Sequence, residues 1–194
     1  MNNESGTSFI IETQRLILRR PTADDADAFM AAFNHAAVID MFLEKESMLS
    51  KEEVLERFAS AERREESRSG FERCIYLKDS GKLVGGVSVW VDWEDLKGEV
   101  AFWCTPRHQG RGIATEALCA LRDWCFAELG LERIYGASAV DNPASARVME
   151  KAGMRLEGVL RHDCRRKDSF VDSRLYAIVR SDWERLGEES RGNT

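Results

Sequence analysis

A strand, a glycine turn and a helix start follow one another in mid-chain, and this succession constrains the fold more than any other feature. The apolar run at 100–104 predicts the strand. Apolar residues at helical spacing predict the helix: Ala117, Leu118, Leu121 and Cys125. Between them, Gly110 and Gly112 allow positive φ and a close approach of the backbone to a ligand. Because a helix N-terminus presents unpaired N–H groups and the positive end of its dipole, the segment predicts an anion site, most naturally for phosphate.

Two common phosphate loops do not fit this turn. No Gly-Lys-Ser/Thr is present, so it is not a Walker A loop. Thr115 stands where the dinucleotide fingerprint needs its third glycine. An ordinary left-handed turn between a strand and a helix remains the structural alternative at this point.

The remaining segments predict alternating strands and helices. Strands are expected at 9–20, 73–78, 83–93, 99–104, 133–140, 154–161 and 173–179. Helices are expected at 22–34, 38–43, 50–66, about 113–129, 142–153 and 181–186. Without the two short helices at 38–43 and 181–186, the order β-α-α-β-β-β-α-β-α-β-β predicts an α/β (α+β) fold, with a mixed central sheet of about seven strands and helices on both faces. We expect one domain over 9–186, with flexible tails at 1–8 and 187–194.

Three local details of this pattern matter for the site. The strand at 133–140 follows a helical crossover, so it should run parallel to the strand at 99–104. Gly85-Gly86 inside a strand indicates a bulge or a close backbone contact. The stretch 163–172 is rich in charge and is predicted to be a loop.

Composition excludes several classes of function. Apolar stretches fall short of the ~18 residues of a membrane span. The first residues lack the basic region and apolar core of a secretory signal, so we expect a cytoplasmic protein with no membrane partner. A formal net charge of −6 argues against nucleic acid as a partner. Five cysteines without a Cys-x-x-Cys pair and three scattered histidines predict neither a disulfide framework nor a metal site.

Residues 109–114 (Gln-Gly-Arg-Gly-Ile-Ala) resemble the Gln/Arg-x-x-Gly-x-Gly/Ala signature of the GCN5-related N-acetyltransferases (GNAT), which hold the pyrophosphate of acetyl-CoA there. Further stretches resemble the ribosomal-protein N-terminal acetyltransferase branch, the RimJ/RimL-like proteins: 12–19, 98–103, 110–118, 141–154 and 156–161. These segments occur in the family's order and cover most of residues 9–185. The resemblance therefore implies the GNAT fold and acetyl-CoA-dependent transfer to a primary amine.

The resemblance also assigns a donor site. The pantetheine arm of acetyl-CoA would lie in a V-shaped gap where the strands at 99–104 and 133–140 splay apart. Backbone groups would come from Phe102, Trp103 and Cys104. The pyrophosphate would be held by the turn and the helix start: Gln109, Gly110, Arg111, Gly112, Ile113, Ala114 and Thr115. The side chains of Arg107 and Arg111 are hypothesised to lie near the 3′-phosphate.

Direct attack of an amine on the thioester needs a base, oxyanion donors and an acid for the thiolate. Glu99 is the first candidate base, acting through water with a raised pKa. The oxyanion donors would be backbone N–H groups near Trp103 and Cys104. Ser145 is the candidate acid, and Asn142 is expected to cap its helix or to contact pantetheine.

Three weaker candidates stand beside these catalytic assignments. Glu157 and Asp163 are alternative bases, and a Cys104 acyl-enzyme is the least favoured route. Many relatives outside this branch carry a tyrosine acid on the helix at 142–153. Since Val148 and Met149 occupy that region here, a tyrosine acid on that helix is not expected.

The sequence leaves the acceptor open among peptide N-termini, polyamines and amino-sugar antibiotics. The segments 35–50 and 161–172 should line its pocket. Acidic residues there would attract a cationic amine: Glu44, Glu46, Asp163 and Asp168. Basic residues would oppose it: Arg165, Arg166 and Lys167. A non-catalytic CoA-binding regulatory module and an acyltransferase for longer acyl-CoA are the alternative functions, and a homodimer is compatible with any of them.

Overall fold

The computed structural model describes residues 9–39, 48–166 and 169–192. Within them, one mixed sheet has eight strands in the order β1-β2-β3-β4-β5-β6-β8-β7. The strands are β1 (Ile11–Glu12), β2 (Leu16–Arg19), β3 (Gly70–Leu77), β4 (Leu83–Asp92), β5 (Lys97–Cys104), β6 (Arg133–Ala139), β7 (Arg155–Arg166) and β8 (Ser169–Val179). The helices are α1 (Ala26–Phe33), α2 (Ala36–Ile39), α3 (Lys51–Glu66), α4 (Ile113–Ala127), α5 (Pro143–Lys151) and α6 (Arg180–Gly192). The predicted fold class is confirmed.

Two apolar layers hold helices against opposite faces of the sheet. The larger layer contains Leu118 and Leu121 of α4 and Met149 of α5, all fully or almost fully buried. The other contains Phe29 of α1 and Phe58 of α3. Because side chains alternate along a strand, each central strand contributes to both layers.

Local signals correctly predicted where three helices begin. Ser50 Oγ accepts from the N–H of Glu53, whose carboxylate accepts from the N–H of Ser50 in return, as a capping box requires. The Asp25 carboxylate accepts from the N–H of Thr22 at 2.7 Å before α1. Asn142 Oδ1 accepts from the N–H of Ser145 at 3.1 Å, so Asn142 is the N-cap of α5.

Asp25 also forms a bidentate ion pair with Arg19, with both N–O distances 2.8 Å. Burial raises the pKa of Asp25, but the Arg19 guanidinium and the Thr22 donors outweigh it and hold that pKa well below its usual range. The pair therefore stabilises the fold at neutral pH, and this contribution falls as the carboxylate is protonated.

The parallel pairing of β5 with β6 is confirmed, and it is short. It covers Lys97↔Arg133, Gly98↔Ile134 and Glu99↔Tyr135. Beyond Glu99, β5 stays paired with β4 as far as Cys104, whereas β6 keeps only its pairing with β8, which runs from Arg133 to Ala139. The expected splay between the two strands therefore opens immediately after Glu99.

The predicted close contact at Gly85-Gly86 is confirmed. A Cβ at Gly86 would overlap Nε1 of Trp103 and lie 3.0 Å from its Cε2 atom. A Cβ at Gly85 would overlap the Trp103 carbonyl oxygen and lie 3.2 Å from the Cα of Cys104. The register of β3 against β4 also shifts here, between Ile75 and Tyr76. The two glycines therefore set how closely β4 can approach the end of β5.

Two predictions at the edges of the sheet were wrong. The single strand at 9–20 is two short antiparallel strands, because the chain turns where Thr13 Oγ1 accepts from the N–H of Leu16. The charged stretch at 163–172 is largely strand, because β7 and β8 pair as far as Arg166↔Ser169. Charged residues there reflect a hairpin whose side chains are largely exposed or half-buried.

The helix predicted at 181–186 runs over Arg180–Gly192, so it includes most of the predicted tail at 187–194. The short helix expected at 38–43 is α2 over Ala36–Ile39, and residues 40–47 lie outside the described part of the chain. The predicted tail at 1–8 lies outside it as well. Among the described residues, no helix is long and apolar enough to cross a membrane.

Candidate active site

The splay between β5 and β6 opens into a cleft of about 1480 Å³. The floor and one wall come from β5, the other wall from β6 and α5, and one end from the N-terminus of α4. Ala37 and Ile39 of α2 and the far part of β7 complete the rim. The volume exceeds the 300–1,000 Å³ usual for small-molecule sites, so the cleft has room for an extended ligand and a second reactant.

The turn before α4 is built as an anion site. Gly110 and Gly112 both have positive φ, +71° and +77°, and both line the cleft. Within the described chain, the N–H groups of residues 110–115 donate no hydrogen bond. Unpaired donors at the positive end of a 15-residue helix suit a pyrophosphate.

Contrary to the prediction, Gln109 does not offer its backbone N–H to a phosphate. Its N–H donates to the Pro106 carbonyl at 3.3 Å, so it is not a free phosphate donor. Its side-chain Nε2 donates to the Cys104 carbonyl at 3.1 Å, which ties the turn to the end of β5. The predicted donor set therefore begins at Gly110 and not at Gln109.

Of the three β5 residues predicted to face the gap, two do so through their backbone. The Trp103 carbonyl points at Gly85 on β4, and in an antiparallel pair the N–H of the same residue points the same way. The backbone groups of Phe102 and Cys104 therefore point toward the gap. Trp103 contributes its buried indole instead, edge-on to Phe29 and Phe33 of α1.

Glu99 lies at the apex of the splay and lines the cleft. It shares a face of β5 with Trp103, so its exposed carboxylate lies on the α1 side of the sheet, opposite α4. Its neighbour across the strands is Tyr135. Burial and the Glu99 charge both raise the pKa of this phenol. A base on this face can meet an amine entering from the side opposite the anion turn.

The alternative bases differ in availability. Glu157 binds Arg133 through both carboxylate oxygens, at 2.7 and 2.5 Å. The hydrogen bonds from Arg133 are the main cause that lowers the pKa of Glu157, which makes it a poor base. Asp163 is exposed and lines the cleft, but it lies on β7 away from the apex. Glu99 remains the better-placed candidate.

Asn142 and Ser145 both line the cleft at the start of α5. Asn142 uses only Oδ1 for its cap, and within the described residues its Nδ2 group donates to nothing. One side chain can therefore cap the helix and still offer donors to a ligand. The half-buried Ser145 hydroxyl also has no partner in the described structure, which is compatible with a role at the thiolate.

Cys104 is buried, and burial raises the pKa of its thiol to about 11. A thiol of that pKa is almost wholly protonated at neutral pH, which argues against an acyl-enzyme. The described residues contain no cluster of His, Cys, Asp and Glu able to hold a metal. The cleft thus offers the groups for direct transfer between two bound substrates.

Sequence reasoning missed three groups in the cleft. Ser138 of β6 is buried, lines the cleft, and its Oγ has no hydrogen-bond partner in the described structure. Arg147 and Lys151, one helical turn apart on α5, also line it and form no ion pair within the described residues. The predicted 3′-phosphate contacts, Arg107 and Arg111, lie outside the cleft lining. The exposed cations of α5 are therefore alternative partners for that phosphate.

The acetyltransferase (GNAT) domain model matches residues 15–155. This chain belongs to the GNAT family. The acetyltransferase is 30% identical over 172 residues to the uncharacterized N-acetyltransferase YoaA of Bacillus subtilis, spanning 88% of this chain and 97% of YoaA. It is also 32% identical over 112 residues to the ribosomal-protein-serine acetyltransferase of Escherichia coli, spanning 57% of this chain and 62% of that protein.

Solved structures share the fold of this acetyltransferase. The Microcin C7 self immunity acetyltransferase MccE, solved with acetyl-CoA and AMP, has a TM-score of 0.78 at 20% identity, covering 86% of this chain and 93% of that one. The spermidine N-acetyltransferase of Vibrio cholerae, solved with CoA and spermine, has a TM-score of 0.77 at 22% identity, covering 88% and 99%.

The residues present fit acetyl-CoA. The unpaired N–H groups at 110–115 suit its pyrophosphate, and the backbone groups of Phe102 and Cys104 suit the amides of its pantetheine arm. The reaction of this chain is accordingly acetyl-CoA-dependent N-acetylation.

Proposed function

We propose that this acetyltransferase acts in the cytoplasm on the α-amino group of a protein or peptide N-terminus, in the manner of the RimJ/RimL-like branch. The observation that supports this acceptor is the charge at the apex of the splay. Glu99 is the β5 carboxylate that lines the cleft there. Its charge suits one ammonium group.

The other carboxylates that line the cleft do not combine with Glu99 into a binding site for a polycation. Asp141 is bound by Arg166, with an Nη1–Oδ2 distance of 2.5 Å. Asp163 lies on β7, which also carries the basic residues Arg161 and Arg165. A polyamine needs several carboxylates along its length, whereas an N-terminus needs one next to the thioester. Glu44, Glu46 and Asp168 lie outside the described residues.

The proposed reaction uses the cleft from its two sides. Glu99 accepts the ammonium proton through a water molecule, since an ammonium has no lone pair. The free amine attacks the thioester carbonyl, and the Cys104 N–H donates to the developing oxyanion. Collapse breaks the C–S bond, and the Ser145 hydroxyl donates a proton to the thiolate. The acylated nitrogen still carries one proton more than the amide does, and it passes that proton to the Ser145 oxygen. The amide and CoA are the products.

A panel of acceptors tests this proposal by CoA release with acetyl-CoA as donor, followed by mass spectrometry of the peptide. The panel contains peptides with free N-termini, the same peptides blocked at the N-terminus, spermidine, spermine and an aminoglycoside. We expect turnover with free peptides and none with blocked ones. Faster turnover with spermidine than with any peptide would overturn the acceptor assignment and leave the acetyltransferase assignment intact.

The same assay separates the other functions. CoA binding without turnover of any amine would favour a regulatory CoA-binding module. Faster transfer from succinyl-CoA or a longer acyl-CoA than from acetyl-CoA would favour a different acyltransferase.

A further inference from the structure

The hairpin at the far edge of the sheet reaches the anion turn through one side chain, Arg15, which lies between β1 and β2. Its Nε donates to Glu116 Oε2 at 2.6 Å, and its Nη1 donates to the Arg111 carbonyl at 3.0 Å. Glu116 is in the first turn of α4, and its other oxygen accepts from Thr13 Oγ1 and from the N–H of Arg15. One guanidinium therefore joins the helix start to the turn that precedes it.

The contact with the Arg111 carbonyl fixes more than one atom. The Arg111 carbonyl and the Gly112 N–H belong to the same peptide unit, which is trans, so they point in opposite directions. Because Arg15 holds the Arg111 carbonyl oxygen on the side of the β1–β2 hairpin, the Gly112 N–H points away from that hairpin. That direction leads into the cleft, which Gly112 lines.

This peptide unit needs an external restraint. It joins Arg111 to Gly112, and the lack of a Cβ at Gly112 leaves the backbone on that side of the unit free to rotate. If the unit rotated, the Arg111 carbonyl oxygen would face the bound pyrophosphate, and two negative ends would meet. Arg15 blocks that orientation by holding the oxygen outside. A Cβ placed on Gly112 would lie 3.4 Å from Nη2 of Arg15, so the Arg15 guanidinium lies directly against the turn.

Arg15 also balances a charge near the anion. Glu116 carries a carboxylate in the first turn of the helix whose N-terminus would bind phosphate. Burial raises the pKa of Glu116, but the hydrogen bonds from Thr13 and Arg15 outweigh it and lower the pKa overall. The carboxylate is therefore ionised, and the bound guanidinium offsets its repulsion of a phosphate.

We propose that Arg15 is a positioning residue for acetyl-CoA: it orients the Arg111–Gly112 peptide so that the Gly112 N–H faces the pyrophosphate. The role is carried out through the backbone of the turn and without direct contact with the reacting atoms. It rests on acetyl-CoA binding at the start of α4 and is independent of which amine is acetylated.

The test measures CoA binding by calorimetry, so it needs no acceptor. Arg15→Gln removes both contacts, and Arg15→Lys keeps the charge but cannot reach both acceptors. We expect Kd for CoA to rise about five- to tenfold in Arg15→Gln, the size expected for one lost hydrogen bond, and by a smaller factor in Arg15→Lys. The Arg15 side chain is 46% exposed, so neither variant leaves a hole in the core.

Lys78→Gln is the matched control, because Lys78 pairs with Glu12 of the same hairpin at 2.9 Å and does not touch the turn. Its Kd should stay within about twofold of the wild type, as for other surface ion pairs. In steady state with any accepted amine, Arg15→Gln should raise KM for acetyl-CoA and leave kcat at saturation unchanged.

Two results would overturn the role of Arg15: CoA binding in both Arg15 variants as tight as in Lys78→Gln, or a fall in kcat with KM unchanged. If Arg15→Gln fails to fold, Arg15→Lys decides alone. A wild-type protein that does not bind CoA would instead refute the donor site itself.

Discussion

Replacing Gly86 by alanine tests how the sheet positions the end of β5. Gly86 pairs with Trp103, and a Cβ there would overlap Nε1 of the indole and lie 3.0 Å from Cε2 and 3.3 Å from Cδ1. Ordinary van der Waals contact begins near 3.4 Å, so the ring must move by roughly 1 Å. Trp103 is only 4% exposed, and its ring packs edge-on against Phe29 and Phe33, so the ring has little free space to move into.

Overpacking of this kind costs about 1–3 kcal/mol of unfolding free energy. For a chain of this size, each kcal/mol lowers Tm by about 2–4 °C. Because Cys104 follows Trp103 directly, its N–H should move with the ring, and a misplacement of about 1 Å can lower kcat/KM by up to ~100-fold. Thermal unfolding and CoA-release kinetics measure the two effects on one preparation.

Gly158→Ala is the matched control, because a Cβ at Gly158 meets no described heavy atom within 4 Å and its φ is not positive. We expect it to be neutral or slightly stabilising, since alanine restricts the unfolded chain. If Gly86→Ala unfolds at the same temperature as Gly158→Ala and retains full activity, then the close contact between Gly86 and Trp103 does not position the end of β5.

Glu99→Gln should lower kcat/KM most at low pH, where a smaller fraction of the amine is unprotonated and a base is needed more. Glu157→Gln serves as the control. A loss of kcat/KM that is the same at every pH would exclude Glu99 as the base. Replacing Arg147 and Lys151 together by glutamine should raise KM for acetyl-CoA about two- to thirtyfold, since each of the two exposed charge pairs contributes about 0.2–1 kcal/mol. KM for acetyl-dephospho-CoA should stay unchanged, and an equal rise with both donors would refute a 3′-phosphate contact. Asp25→Asn should destabilise the protein at pH 7, because folding lowers the pKa of the Asp25 carboxyl. The stability that this carboxylate contributes is fully present above its unfolded-state pKa of about 4. It is lost as the pH falls through the pKa of the folded state. Urea unfolding at pH 7 and pH 3 measures this, and a difference that does not shrink at pH 3 would contradict it.

Features set by neighbouring residues could be predicted from the sequence. Two helix starts were predictable because their capping contacts lie within three residues along the chain. The residues that indicate them are Ser50 with Glu53, and Asn142 with Pro143. The glycine turn before α4 was predictable because its geometry depends on Gly110 and Gly112 themselves. The parallel strand after α4 followed from the length of the crossover.

Features set by contacts between distant segments could not be predicted. Arg15 and Glu116 are 101 positions apart, so no local pattern places one against the other. The backbone direction of Trp103 depends on its register with β4, and apolar periodicity does not report register. The end of the β7–β8 hairpin, at 163–172, was predicted to be a loop because charge suggests exposure, and the exposed end of a two-stranded hairpin is as charged as a loop.

We propose that the cleft transfers acetyl from acetyl-CoA to a peptide N-terminus. The most direct test of this transfer is mass spectrometry of a free and an N-terminally blocked peptide after incubation with acetyl-CoA and the wild-type protein, with CoA release measured in parallel. We expect one acetyl group on the free N-terminus, in an amount that matches CoA release, and none on the blocked peptide. Tight binding of CoA with no acetylation of any amine in the panel would contradict it.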